Sequence, residues 1–215
     1  MSAVPSDPLR PGDQAVDGRA IGRRAQITRR RLLDETARLL ELHGVVDLKV
    51  VEVSRAAGTS SATFYQYFTD MDDAILALAA EAGERERALL EFVTEAWVGA
   101  DGRDLVRDFI DRYHHFWSEY RGVLRVRNLK AEEGDPRYQR IRSRSSIPMA
   151  EALGALVHRD GEFSGLVPFA TGGAMLGMIE RLFAYEDVFA RKGTTLDDLK
   201  STLTTILVRT LVDDS

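Results

Sequence analysis

Val50-Val51-Glu52-Val53-Ser54-Arg55-Ala56-Ala57-Gly58-Thr59-Ser60-Ser61-Ala62-Thr63-Phe64-Tyr65-Gln66-Tyr67-Phe68 is the stretch whose reading decides the fold. Val50, Val53 and Ala57 give a short helix over about residues 50–57 one apolar face. Gly58 then allows a left-handed backbone, so the chain turns within three residues. Ser60 or Ser61 can cap a second helix over about residues 61–68, whose free N–H groups and positive dipole end favour a phosphate. Phe64 and Phe68, spaced i and i+4, anchor that helix in a small core. Its other face carries Ser61, Ala62, Thr63, Tyr65, Gln66 and Tyr67, short hydroxyls and aromatics suited to groove walls and base edges.

Upstream of this stretch the charge is positive. Arg19, Arg23, Arg24, Arg29, Arg30 and Arg31 crowd together, with no acid between Arg19 and Asp34. The formal net charge of the whole chain is −5, but much of the acid lies elsewhere, as in Asp70, Asp72, Asp73, Glu81, Glu84 and Glu86. Screening limits the reach of those charges to about 10 Å, so a basic patch on an acidic body can still hold phosphate.

Downstream, almost every periodic segment has helical spacing and no alternating strand stands out, which predicts an all-α chain. A first helix is expected over about residues 23–43, with Leu32, Leu33, Ala37, Leu39 and Leu40 as its stripe and Gly44 as its stop. Asp70 can cap a long helix reaching Leu89, Leu90, Phe92 and Val93. After a break at residues 100–102 comes an aromatic helix, and Gly122 is read as opening a separate short helix to about Glu133. Gly134-Asp135-Pro136 starts the next, to about His158, and Pro168 suits the first turn of one continuing to Phe189. Thr195 and Asp198 resemble a capping box for a last helix ending near Val212.

The composition, 44% hydrophobic and 29% charged over 215 residues, is that of a soluble globular protein. There is no cysteine, which excludes disulfides, thiolate metal sites and a cysteine nucleophile, and suits a cytoplasmic location. Residues 1–20, with Pro5, Pro8 and Pro11, are expected to form a disordered tail without the apolar core of a signal peptide. The longest apolar run, residues 165–179, is too short to span a bilayer.

Ala56-Ala57-Gly58-Thr59-Ser60, followed by Thr63-Phe64-Tyr65-Gln66-Tyr67-Phe68, closely resembles the signature of the TetR family of bacterial repressors. The specific resemblance covers about residues 23–80. It implies an N-terminal three-helix helix-turn-helix domain (21–69) joined by a long helix to a C-terminal helical ligand-binding and dimerisation domain (70–215). It also implies a pseudo-palindromic double-stranded operator bound by a homodimer and released by a small effector. Ser61 and Ala62 sit where the family reads bases; Thr63, Tyr65 and Tyr67 where it holds phosphates or groove edges; Lys49 near the backbone. Arg23, Arg24, Ser60 and Gln66 complete the expected DNA-binding set. Two departures stand out. Lys49 replaces the usual capping hydroxyl, leaving Asp47 as a substitute, and Met71 replaces a phosphate-binding lysine, a contact whose loss lowers the salt slope by about 0.9.

In the second domain, Phe109, Tyr113, Phe116, Trp117, Met149, Leu153, Met175, Met178 and Phe183 are the candidate lining for a lipophilic effector, for example an acyl-CoA. Ordinary core packing explains the same stripe. Arg137, Arg140 and Arg144 recur at helical spacing and could meet an effector's phosphate or carboxylate, or form a solvated basic face. Gly173 and Gly177 permit close approach of another helix, and the final helix offers Leu199, Leu203, Ile206, Leu207, Val208 and Leu211, so the last two helices are expected to pair across a twofold axis. Asp111, His115 and Glu119 share a helical face but have no second ligand segment, so neither a metal nor a cofactor is expected. The competing classes are an enzyme and a protein-binding adaptor. The sequence contains no G-x-S-x-G elbow, Walker A loop, dinucleotide fingerprint or zincin motif, so no catalytic residue is assigned.

Overall fold

The computed structural model describes residues 22–43, 48–98, 101–157 and 165–211, and every regular element among them is helical. The expected tail, Arg19, Gly44, Asp47, His158 and Val212 lie outside the described residues. The chain divides into two compact units, with the boundary between Ala79 and Ala80.

The first unit holds α1 (Arg23–His43), α2 (Val50–Ala56), α3 (Ser61–Tyr67) and the start of α4 (Met71–Ala88). Its interior is small and apolar: Leu32, Leu33, Leu40, Val53, Phe64 and Phe68 are all buried. Thr36, on the same face of α1, is buried too, because its hydroxyl donates to the Leu32 carbonyl at 2.7 Å. Asp70 caps α4 as expected, its carboxylate accepting from the Asp73 N–H at 2.8 Å. Asp73 returns the bond to the Thr69 N–H at 3.0 Å.

In the second unit follow two 3-10 turns (Leu89–Phe92 and Glu95–Val98), then α5 (Gly102–Glu132), α6 (Pro136–Ala155), α7 (Pro168–Ala184), α8 (Glu186–Ala190) and α9 (Leu196–Leu211). Three expectations about boundaries are corrected here. α4 ends at Ala88, and residues 89–98 tighten into the 3-10 turns, locked by the Trp97 indole donating to the Phe92 carbonyl at 2.9 Å. α5 runs unbroken through Gly122, which is buried inside it; packing outweighs the roughly 1 kcal/mol that glycine costs a helix interior. The Pro168 helix stops at Ala184, because Tyr185 leaves helical geometry (φ −117°, ψ 19°) before α8 begins.

The starts of α6 and α9 follow the sequence reading. Asp135 accepts from the Arg137 N–H at 2.9 Å with Pro136 in the first turn of α6. Thr195 and Asp198 exchange backbone bonds at 3.1 and 2.8 Å at the start of α9. α6 and α7 lie almost backbone to backbone: a Cβ on Gly172 would overlap the Ala150 carbonyl, and one on Gly154 the Pro168 carbonyl.

Candidate nucleic-acid interface

The bend between α2 and α3 is built as its residues dictate. Gly58 adopts φ +68°, and the Gly58 and Thr59 N–H groups donate back to Arg55 (3.1 Å) and Ser54 (2.9 Å), closing the end of α2. Ser60 rather than Ser61 is the cap: its hydroxyl accepts from the Thr63 N–H at 3.2 Å and touches the Thr63 hydroxyl at 3.1 Å. Lys49 occupies the capping position of α2 and forms no side-chain cap bond, as the departure from the family pattern predicted.

Phe64 and Phe68 hold α3 from below. Both are at most 1% exposed, with ring centroids 5.3 Å apart. The opposite side is open. Tyr65 is 53% exposed, Ala62 and Gln66 are exposed, and Ser61, Thr63 and Tyr67 are half-buried. Lys49, Glu52 and Arg55 bring exposed side chains from α2. In the arginine run, Arg23, Arg24 and Arg31 are exposed, Arg30 is bridged to Asp34 at 2.6 Å, and Arg29 lies over the Phe68 ring at 5.0 Å. Met71, where the family carries a lysine, is half-buried at the start of α4.

In the second unit most of the nine residues offered as an effector lining are buried. Phe109, Tyr113, Phe116, Trp117, Met149, Leu153, Met175 and Phe183 are buried, and Met178 is half-buried. Phe109, Tyr113 and Phe116 stack in series at 5.8 Å between centroids, as core packing. Two grooves open beside them. The larger, about 680 Å³, takes only Trp117 from that set; the other, about 610 Å³, takes only Phe116.

Behind the larger groove lies a buried charge cluster that sequence reasoning missed. Glu86, on α4, accepts from the Tyr113 hydroxyl at 2.8 Å, from Arg127 at 2.6 Å and from the Ser145 hydroxyl at 2.7 Å. Glu180 stands 3.8 Å from Arg127 and 3.5 Å from Arg142. Burial works against the Arg127 charge, but Glu86 outweighs it and the guanidinium is held more firmly protonated. Burial, reinforced by Glu86, raises the Glu180 pKa, and burial with Glu86 beside it pushes the Tyr113 phenol well up. The signal was available: Glu86, Arg127 and Glu180 each fall on the apolar stripe of their own helix, four residues from Ala82, Val123 and Leu176 respectively.

Several of the remaining polar candidates are held by neighbours. Asp111 is held by Lys200 at 2.8 Å and Arg107 at 3.5 Å; burial opposes its charge, yet Lys200 wins and its pKa falls. Among the described residues no group of three acids or histidines could hold a metal ion. Arg137 bridges to Asp135 at 2.7 Å, whose carboxyl it holds down to about 2, while Arg140 and Arg144 are exposed on α6. His114 donates from Nε2 to Glu186 at 2.9 Å, and Arg121 clasps Glu186 and Asp187, tying α8 to α5. Burial, with Lys200 and Arg121 nearby, lowers the His114 pKa to about 4.

On the helices expected to pair, α7 leaves Phe169, Ala170, Gly173, Ala174 and Gly177 exposed, with open space where a Cβ would stand on either glycine. α9 spends most of its apolar residues inside the chain's own core: Leu199, Leu203, Leu207, Val208 and Leu211 are buried, and only Ile206 of the six is exposed. No helix among the described residues is long and apolar enough to cross a membrane.

Comparison with known proteins gives the same frame. Residues 32–78 match the family described as bacterial regulatory proteins, tetR family, and residues 89–213 match the tetracyclin repressor-like C-terminal domain. No curated protein matches the chain. Among solved structures, the fatty acid degradation regulator FadR of Bacillus halodurans is similar with TM-score 0.64 and 15% identity, covering 88% of this chain and 96% of that one. FadR of Bacillus subtilis in complex with stearoyl-CoA gives 0.60 and 16%, over 83% and 97%. A TetR family transcription regulator of Marinobacter aquaeolei gives 0.55 and 22%, over 86% and 95%.

Proposed function

The chain belongs to the TetR family of bacterial transcriptional regulators, and from that premise we propose that it is a repressor whose homodimer binds a pseudo-palindromic operator and releases it when a small lipophilic effector occupies the second unit. The observation that carries the reading is the two-faced α3: Phe64 and Phe68 buried beneath, Tyr65 and Gln66 exposed above, at the end of a Ser60-capped turn. A helix so mounted offers its polar side to a major groove, and the exposed Arg23, Arg24 and Lys49 supply phosphate contacts. The glycine-lined face of α7, with Ile206 of α9, supports a twofold interface between protomers. A lipophilic effector, of which an acyl-CoA is one example, is supported by the likeness in fold to a regulator that binds stearoyl-CoA. A location in the cytoplasm follows from that role.

The test is binding of a labelled duplex carrying the inverted repeat nearest the gene. Affinity should fall steeply with salt, as phosphate contacts require. Replacing Tyr65 and Tyr67 together by alanine should abolish binding while circular dichroism and self-association stay unchanged. Undiminished affinity in that variant would remove α3 as the reading element.

A further inference from the structure

We propose that the larger groove of the second unit, bounded by α5, α6, α7 and α8, is the seat of a small carboxylate with an apolar body. This assignment rests on the ligand-responsive reading above and moves the effector away from the packed aromatic series. Beneath the groove lie buried donors that lack acceptors. Trp117 lines it and is 2% exposed, yet among the described residues its indole Nε1 has no hydrogen-bond partner. The Arg142 Nε, on the same lining, is equally unmet, and so is the Arg127 Nη2 behind it. Only one acceptor, Glu180 Oε1, is left over, and it already stands 3.8 Å from that same Arg127 nitrogen. Indole and guanidinium N–H groups can donate and never accept, so what they lack is an oxygen with lone pairs.

Charge selects an anion over a neutral carbonyl. The lining holds four arginines (125, 142, 181 and 191) against three acids. Glu180 pairs with Arg142 at 3.5 Å and Asp187 with Arg121 at 3.2 Å, which leaves Arg125, Arg181 and Arg191 against Glu132 at the rim. A planar carboxylate meets a guanidinium edge and an indole N–H with matched geometry. The lip suits an apolar body, since Leu129, Tyr185 and Val188 there are 48%, 41% and 42% exposed. The Arg181 guanidinium lies 3.9 Å over the Tyr185 ring and makes a flat wall beside them. The volume, about 680 Å³, suits one small molecule.

Calorimetric titration of the full chain with decanoate and with 1-decanol tests this. Decanoate should bind and decanol should bind at least tenfold more weakly. Arg142→Met should remove that preference, and Trp117→Phe, which keeps the ring and loses the N–H, should weaken decanoate alone by several fold. Equal binding of the two probes, no decanoate binding up to its solubility, or both variants behaving as the parent protein would overturn the assignment. Operator release, followed in parallel, separates the two readings. Decanoate bound with DNA affinity unmoved keeps the carboxylate site and defeats the ligand-responsive regulator. Release by decanol alone keeps the regulator and defeats the carboxylate site.

Discussion

At the scale of single residues, the molecule hangs on a few positions that tolerate little. Gly58 is one, since φ +68° costs any residue with a Cβ about 1–2 kcal/mol. Gly58→Ala is therefore expected to lower the melting temperature of the first unit, read by thermal denaturation, although nothing lies within 4 Å of the new methyl. Arg127 is another. Its guanidinium is fully buried between Glu86 and Glu180, and Arg127→Leu strands two acids, an expected loss of about 3–5 kcal/mol in chemical denaturation. His114 makes stability depend on pH. Its folded pKa of about 4 lies below the ordinary 6.5, so between those values the unfolded chain binds the proton more readily. Stability should be complete above about pH 6.5 and fall as the pH drops toward 4. His114→Gln should flatten that slope in melting temperature against pH.

At the scale of elements, α7 carries two adjacent glycines with opposite duties. Gly172 faces α6, where a Cβ overlaps the Ala150 carbonyl, while Gly173 faces open space. Gly172→Ala should destabilise by about 1–3 kcal/mol, as overpacking does. Gly173→Ala should stabilise by up to about 1 kcal/mol, as relief of a helix-interior glycine does. Equal effects would mean the α6–α7 contact is not what sets the spacing. The same contrast explains what the sequence made legible. Local chemistry announced α1 to α3, a serine cap at 60 or 61, the Asp70 and Thr195 caps, and the helix starts at residues 134–136 and Pro168, because each rests on neighbours in the chain. Gly122 misled because its surroundings within α5 are set by distant packing. The stop at Tyr185 had no glycine or proline to mark it; the residues just past it are gripped by Arg121, more than sixty residues upstream. The candidate groove was legible only in part, since an aromatic stripe looks alike whether it packs a core or lines a cavity, and of that stripe Trp117 lines the larger of the two grooves and Phe116 the other.

At the scale of the whole molecule, the exposed apolar face of α7 leaves the chain with surface to cover. Gly173→Phe, placed where there is room in one protomer, should leave the fold intact, shift sedimentation to the monomer and cost most of the operator affinity. A dimeric variant with full affinity would remove α7 from the interface. The buried charge cluster has a consequence of another kind, for how such a chain can change over generations. Sealed ion pairs add little to net stability, yet losing any one member is expensive, so Glu86, Arg127 and Glu180 cannot drift singly. They form a ratchet: relatives that keep this arrangement of helices should carry the acid at 86 and the base at 127 together, or have exchanged both for apolar side chains in concert.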